Sequence, residues 1–98
     1  MTTAEGNQES PRVVRIDVSS ATTPRELHTL LQEALGFPAF YGRNWDAFHD
    51  AATGLVVMPE ETVVDGFGVY QARQPKDAAI CESVVRELKD EGVRITLR

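Results

Sequence analysis

Every strand-like run in this chain is separated from the next by helical sequence, and that alternation limits how the strands can pair. Residues 12–18 (RVVRIDV) form a β-branched run, Thr62-Val63-Val64 a second, and Val93, Ile95 and Leu97 alternate with Arg94, Thr96 and Arg98 in a third. Strands joined through a helix pair parallel, with right-handed crossovers. The order strand, helix, helix, strand, short helix, helix, strand therefore predicts a small α/β domain: a three-stranded parallel sheet packed against about four helices. The alternation in the last strand predicts that one face or edge of the sheet is not fully covered. With 98 residues there is material for one core. Residues 12–98 are read as that domain. Residues 1–11 (MTTAEGNQESP), polar and aperiodic, are read as a disordered tail.

The helices carry their own punctuation. Thr23-Pro24-Arg25-Glu26 places Thr23 at an N-cap, Pro24 at the first helical position and Glu26 three residues after the cap, a capping box. Leu27, Leu30, Leu31, Ala34 and Leu35 then form one apolar stripe, ended by Gly36 and Pro38. A second helix is expected from about Asn44 to Thr53, ended by Gly54. Trp45, Phe48 and Ala52 fall on one side of it. Arg43, Asp46, Ala47 and Asp50 fall on the other, with His49 on the flank. One or two helical turns are expected over 69–73. The last helix starts at Pro75, with Ile80, Cys81, Val84, Val85 and Leu88 as its apolar set and Gly92 as its close.

Composition excludes several functions. Fifteen acidic residues against ten basic ones give a formal charge of −5, with no Lys/Arg run, so nucleic-acid binding is disfavoured and a basic protein is the natural partner. The single cysteine, Cys81, forbids an intramolecular disulfide and a multi-cysteine zinc site; on an apolar stripe it reads as a small buried hydrophobe. No secretory signal and no membrane-spanning run is present, which points to a cytoplasmic location. Gly66-Phe67-Gly68 lacks the further glycine of a dinucleotide loop and reads as a turn, and no phosphate-binding Gly-Lys-Ser/Thr motif occurs. No cofactor is implied. His28, one position after Leu27, reads as a half-buried helix residue.

Asp46, His49 and Asp50 invite three readings. Two acids and an imidazole within about one helical turn could hold a metal or act as acid and base, but the spacing is unspecific and lacks companion ligands. A plain solvated face is the second. A protein-binding face is favoured. Like charges at i,i+4 are mildly unfavourable, so a helix needing only solubility would mix signs. Phe40, Tyr41 and Trp45 adjoin the acids, as anchors do at interfaces. The last helix ends in a second acidic cluster containing Glu87 and Glu91.

The segment Phe37-Pro38-Ala39-Phe40-Tyr41-Gly42-Arg43-Asn44-Trp45-Asp46-Ala47-Phe48-His49-Asp50-Ala51-Ala52-Thr53-Gly54 resembles the signature of the barstar family, and Arg86-Glu87-Leu88-Lys89-Asp90-Glu91-Gly92 resembles that family's last helix. The likeness runs over about residues 12–98. It implies an intracellular inhibitor, not an enzyme. The implied target is a guanyl-specific microbial ribonuclease, bound one-to-one by an inhibitor that is monomeric alone. The second helix and the loop before it would block the nuclease active site. Asp50 would be the anchor, standing in for a substrate phosphate before the nuclease's Arg and His residues. Asp46 and Asn44 would support it, and Tyr41, Gly42, Thr53 and Gly54 would shape the contact. Glu87 would meet basic residues on the rim, with Phe40, Trp45, His49 and Leu55 completing the surface. Phe40 stands where the family commonly has Tyr, Arg43 where an acidic or neutral residue is usual, and His49 and Leu55 where Trp occurs. These departures point to a related ribonuclease with its own rim. A barstar-like adaptor for another basic protein is the alternative.

Overall fold

The computed structural model describes residues 12–98; the expected tail over residues 1–11 lies outside them. The strands are β1 (Val13–Asp17), β2 (Glu61–Asp65) and β3 (Ile95–Leu97), paired parallel in the order β1-β2-β3. The helices are α1 (Pro24–Leu35), α2 (Trp45–Asp50), α3 (Phe67–Arg73) and α4 (Pro75–Asp90). The expected parallel α/β architecture is present. None of the described helices is long and apolar enough to cross a membrane.

Register decides which sheet face is buried. Val14, Thr62 and Ile95 lie in one row, and Ile16, Val64 and Leu97 in the next. Ile16, Val64 and Ile95 enter the core, with Val14 and Leu97 packed against it. The Thr62 hydroxyl is buried there without a hydrogen-bond partner among the described residues, a cost of about 1–3 kcal/mol. The opposite face carries polar ties: Arg15 meets Asp65 at 3.1 Å, Arg98 Nε lies 4.0 Å from Asp65, and the Thr96 hydroxyl donates to Glu61 at 3.4 Å. This is the incompletely covered face expected from the alternation around Thr96.

Helix ends follow the local sequence, with instructive departures. The Thr23 hydroxyl accepts from the Glu26 N–H at 3.1 Å, as a cap should. The return bond is displaced by one residue: Glu26 accepts from the N–H and hydroxyl of Thr22, at 2.7 and 2.8 Å. Those bonds hold its carboxyl below the usual range. Gly36, at φ 73°, takes the left-handed conformation that closes α1. On α1, Ala34 is exposed, whereas His28 is 1% exposed. The buried arc turns toward His28 because the chain after Pro38 brings Tyr41 and Trp45 onto that side. On α4 the buried set is Ala78, Cys81, Val85 and Leu88; Ile80, expected inside, is 51% exposed. Burial pushes the Cys81 thiol up to about 12, so it stays protonated as a small apolar group. Helix α3 begins at Phe67, two residues earlier than expected, after a left-handed Gly66. A Cβ at Gly66 would stand 2.9 Å from the Ser19 backbone nitrogen, so this turn requires glycine.

Candidate protein-binding face

The second helix is shorter than expected and ends differently. Asn44 caps it, its side-chain oxygen accepting from the Ala47 N–H at 2.7 Å. Regular α-helix stops at Asp50, and Ala51–Leu55 form a turn of π-helix. Gly54 therefore does not end the helix; Val56 leaves in an extended conformation, its N–H donating to the Ala51 carbonyl five residues back. The Thr53 hydroxyl donates to the His49 carbonyl at 2.8 Å, a back-bond that favours local helix distortion.

Inward, α2 rests on an aromatic layer. Trp45 and Phe48 have ring centroids 5.4 Å apart, Phe37 and Phe48 5.6 Å, and Phe37 and Tyr41 5.0 Å. Polar edges in this layer are paired. Trp45 Nε1 donates to Asp77 at 2.9 Å, and the Tyr70 hydroxyl donates to the other Asp77 oxygen at 2.6 Å. One carboxylate in the first turn of α4 thus ties α2 and α3 together. His28 Nδ1 and the Tyr41 hydroxyl share a bond of 2.6 Å, with the imidazole 4.3 Å from the Trp45 ring. Burial brings the His28 pKa down to about 4, so the ring is neutral at pH 7, and burial also raises the Tyr41 phenol.

Outward, the chain presents carboxylates and apolar groups. The Asp50 side chain is 81% exposed, and Asp46 is exposed one turn earlier. Phe40 is 76% exposed and Leu55 49%. Phe40, Tyr41, Gly42, Ala47, Asp50 and Leu55 together line a shallow hollow of about 190 Å³. A Cβ on Gly42 would stand 3.2 Å from the Asn44 amide and 3.5 Å from Ala47, inside this crowded corner. Thr53, Gly54 and Glu87 are exposed. His49 Nε2 donates to Glu91, just past α4, at 2.8 Å, and Nδ1 lies 4.0 Å from Asp50. The Glu91 bond raises the imidazole pKa, with the charges of Glu91, Glu87 and Asp50 adding to it. Helix α2 and the end of α4 therefore contribute to one acidic surface.

Four residues sit differently from the sequence reading. Tyr41 and Trp45, expected on the contact surface, are 4% and 7% exposed and support it from beneath. Their polar atoms are engaged inside the protein, which makes full burial affordable. Arg43 is not part of the helix. It adopts φ 53°, a left-handed conformation that costs a non-glycine residue about 1–2 kcal/mol, and its Nε donates to Thr29 on α1 at 3.2 Å. Asn44, expected to support Asp50, spends its side chain locally, on Ala47 and, at 3.3 Å, on the Gly42 carbonyl. Asp77, Tyr70 and His28 were missed as organisers of the site. An acid two residues after Pro75 reads as ordinary helix-start chemistry, and nothing local marks its partners 32 and seven residues away.

No group of three His, Cys, Asp and Glu side chains among the described residues is arranged to hold a metal ion. His49 is directed at Glu91, a pairing suited to fixing a surface. Comparison with known proteins agrees with the fold. The family described as Barstar (barnase inhibitor) matches residues 11–98. A Bacillus subtilis (strain 168) protein named "Putative ribonuclease inhibitor YrdF" is 33% identical over 84 residues, spanning 82% of this chain and 92% of its own. That family is one of inhibitors, not enzymes, and with nearly the whole chain matched, this protein belongs to the barstar family.

Proposed function

We propose that this protein inhibits a guanyl-specific microbial ribonuclease by laying the α2 face and the loop before it across the nuclease active site, one-to-one. The observation that carries this reading is the Asp50 carboxylate, 81% exposed at the edge of a hollow lined by Phe40, Gly42 and Leu55. A ribonuclease active site concentrates positive charge to hold phosphate. An exposed carboxylate can occupy that field and accept charge-assisted hydrogen bonds from guanidinium or imidazolium groups. Phe40 and Leu55 supply apolar contact beside the charge, the arrangement typical of an interface anchor. Asp46 and Glu87 extend the negative field and speed encounter with a basic surface. Inhibition then needs only exclusion of RNA from the cleft.

The test is titration of the purified protein into guanyl-specific ribonucleases while RNA cleavage is followed. Activity should vanish at an equimolar ratio. Asp50→Ala should weaken binding by at least about 2 kcal/mol, the level of an interface hot spot. The association rate should fall as salt rises, because long-range attraction is screened. Inhibition by Asp50→Ala equal to that of the parent would remove Asp50 from the anchor role.

A further inference from the structure

Around His49 the charges are unevenly committed. Glu91 takes the Nε2 hydrogen bond at 2.8 Å, Asp50 lies 4.0 Å from Nδ1, and the charge of Glu87 on α4 also acts on the ring. The imidazole is about a third exposed, Glu91 about half and Asp50 almost wholly so. Thus one carboxylate of the acidic surface already has an imidazole partner within the protein, while among the described residues Asp50 has none as near. The bond also crosses between elements: His49 lies on a six-residue helix that unwinds into a π turn, and Glu91 caps a sixteen-residue helix. A short helix with a distorted end gains orientation from such a tie.

We propose that His49 is a specificity-determining and positioning residue of the binding face: it occupies Glu91, fixes α2 against the end of α4, and leaves Asp50 and Glu87 to receive the partner's cations. This rests on the inhibitor reading above. It narrows the partner to a ribonuclease whose rim sets its cations against Asp50 and Glu87 and places an uncharged or acidic group against His49. A rim cation opposite the imidazole would meet like charge and find Glu91 taken. The same geometry gives a proton linkage. Asp50 on its own helix, Glu87 on α4 and Glu91 just past its end favour the protonated ring, and docking into a basic cleft opposes it. Complex formation therefore expels a proton, and affinity rises with pH through the His49 titration.

The full-length protein and its His49→Gln and His49→Ala variants separate the two roles. Glutamine can still donate to Glu91 but carries no charge; alanine does neither. Against an inhibited guanyl-specific ribonuclease, His49→Ala should raise Kd about two- to fivefold, the range of a partly exposed tie, and His49→Gln should restore it. The parent's Kd should fall more steeply with pH than that of His49→Gln, by up to about one decade per pH unit, the limit for one proton. Equal Kd for both variants and equal pH slopes for parent and His49→Gln would overturn the inference while leaving the inhibitor reading standing. Failure of the parent to bind any such ribonuclease would overturn both. In the free protein, NMR titration of His49 should move to lower pH in Glu91→Gln; an unmoved titration breaks the tie independently of any partner.

Discussion

His28 and His49 stand on opposite sides of the α2 region, and their environments treat the same side chain in opposite ways. His28, 1% exposed, packs against Trp45 and shares a hydrogen bond with the Tyr41 hydroxyl. Desolvation there disfavours its charged form. His49 lies at the rim among Glu91, Glu87 and Asp50, and its charged form is favoured. Beneath the helix, polar atoms are paired and apolar area is hidden; above it, Asp46, Asp50, Phe40 and Leu55 are left open to water. The inner side stabilises the fold and holds the outer side in shape, while the outer side adds little to stability and is free to meet a partner.

The largest effect that would break this division is on Trp45. Trp45→Ala should cost about 3–5 kcal/mol of stability in urea unfolding, by opening the aromatic layer and leaving Asp77 short of a donor. Asp50→Ala should change stability by less than about 0.5 kcal/mol while abolishing tight binding. Similar unfolding midpoints for the two variants would erase the distinction between the sides.

Next comes pH. The His28 pKa falls from 6.5 in the unfolded chain to about 4 in the folded protein. Its neutral form is therefore a source of stability that is complete above about pH 6.5 and lost as pH falls toward 4, by up to roughly 3 kcal/mol. Urea midpoints across that range should decline in the parent and flatten in His28→Gln. Asp77→Asn should cost about 1–3 kcal/mol, because two charge-assisted bonds become neutral ones and the Tyr70 hydroxyl must turn from donor to acceptor. The smallest effect belongs to His49, and its sign is reversed. A folded-state pKa above the ordinary value stabilises the protein below that value, and this contribution fades as pH rises through the folded pKa. Glu91→Gln should remove this small alkaline decline without altering the acid one due to His28.

Much of the site could be read locally. The i,i+4 pair Asp46 and Asp50, opposite Trp45, Phe48 and Ala52, needs only a helix to place acids outside and aromatics inside, and a helix forms there. Thr23, Asn44, Gly36 and Pro75 mark their boundaries through chemistry within a few residues of themselves. The misreadings share a cause. Ala34, Ile80 and His28 were assigned by the period of a single helix, but which part of an arc is covered depends on the element laid against it. The same period groups Arg43 with the outward acids Asp46 and Asp50, because nothing local announces that its backbone turns left-handed and its side chain reaches Thr29.

Residue periodicity, capping and charge were enough to set the order of strands and helices, the parallel sheet and an acidic helix with aromatics beside it. Only packing between elements put Tyr41 inside while Phe40 stays out, joined α2 to α3 through Asp77, and turned His49 to Glu91. Those outcomes depend on contacts between residues up to 42 positions apart. Burial and electrostatic pairing are properties of the space around a side chain, and that space exists only once the separate elements have packed.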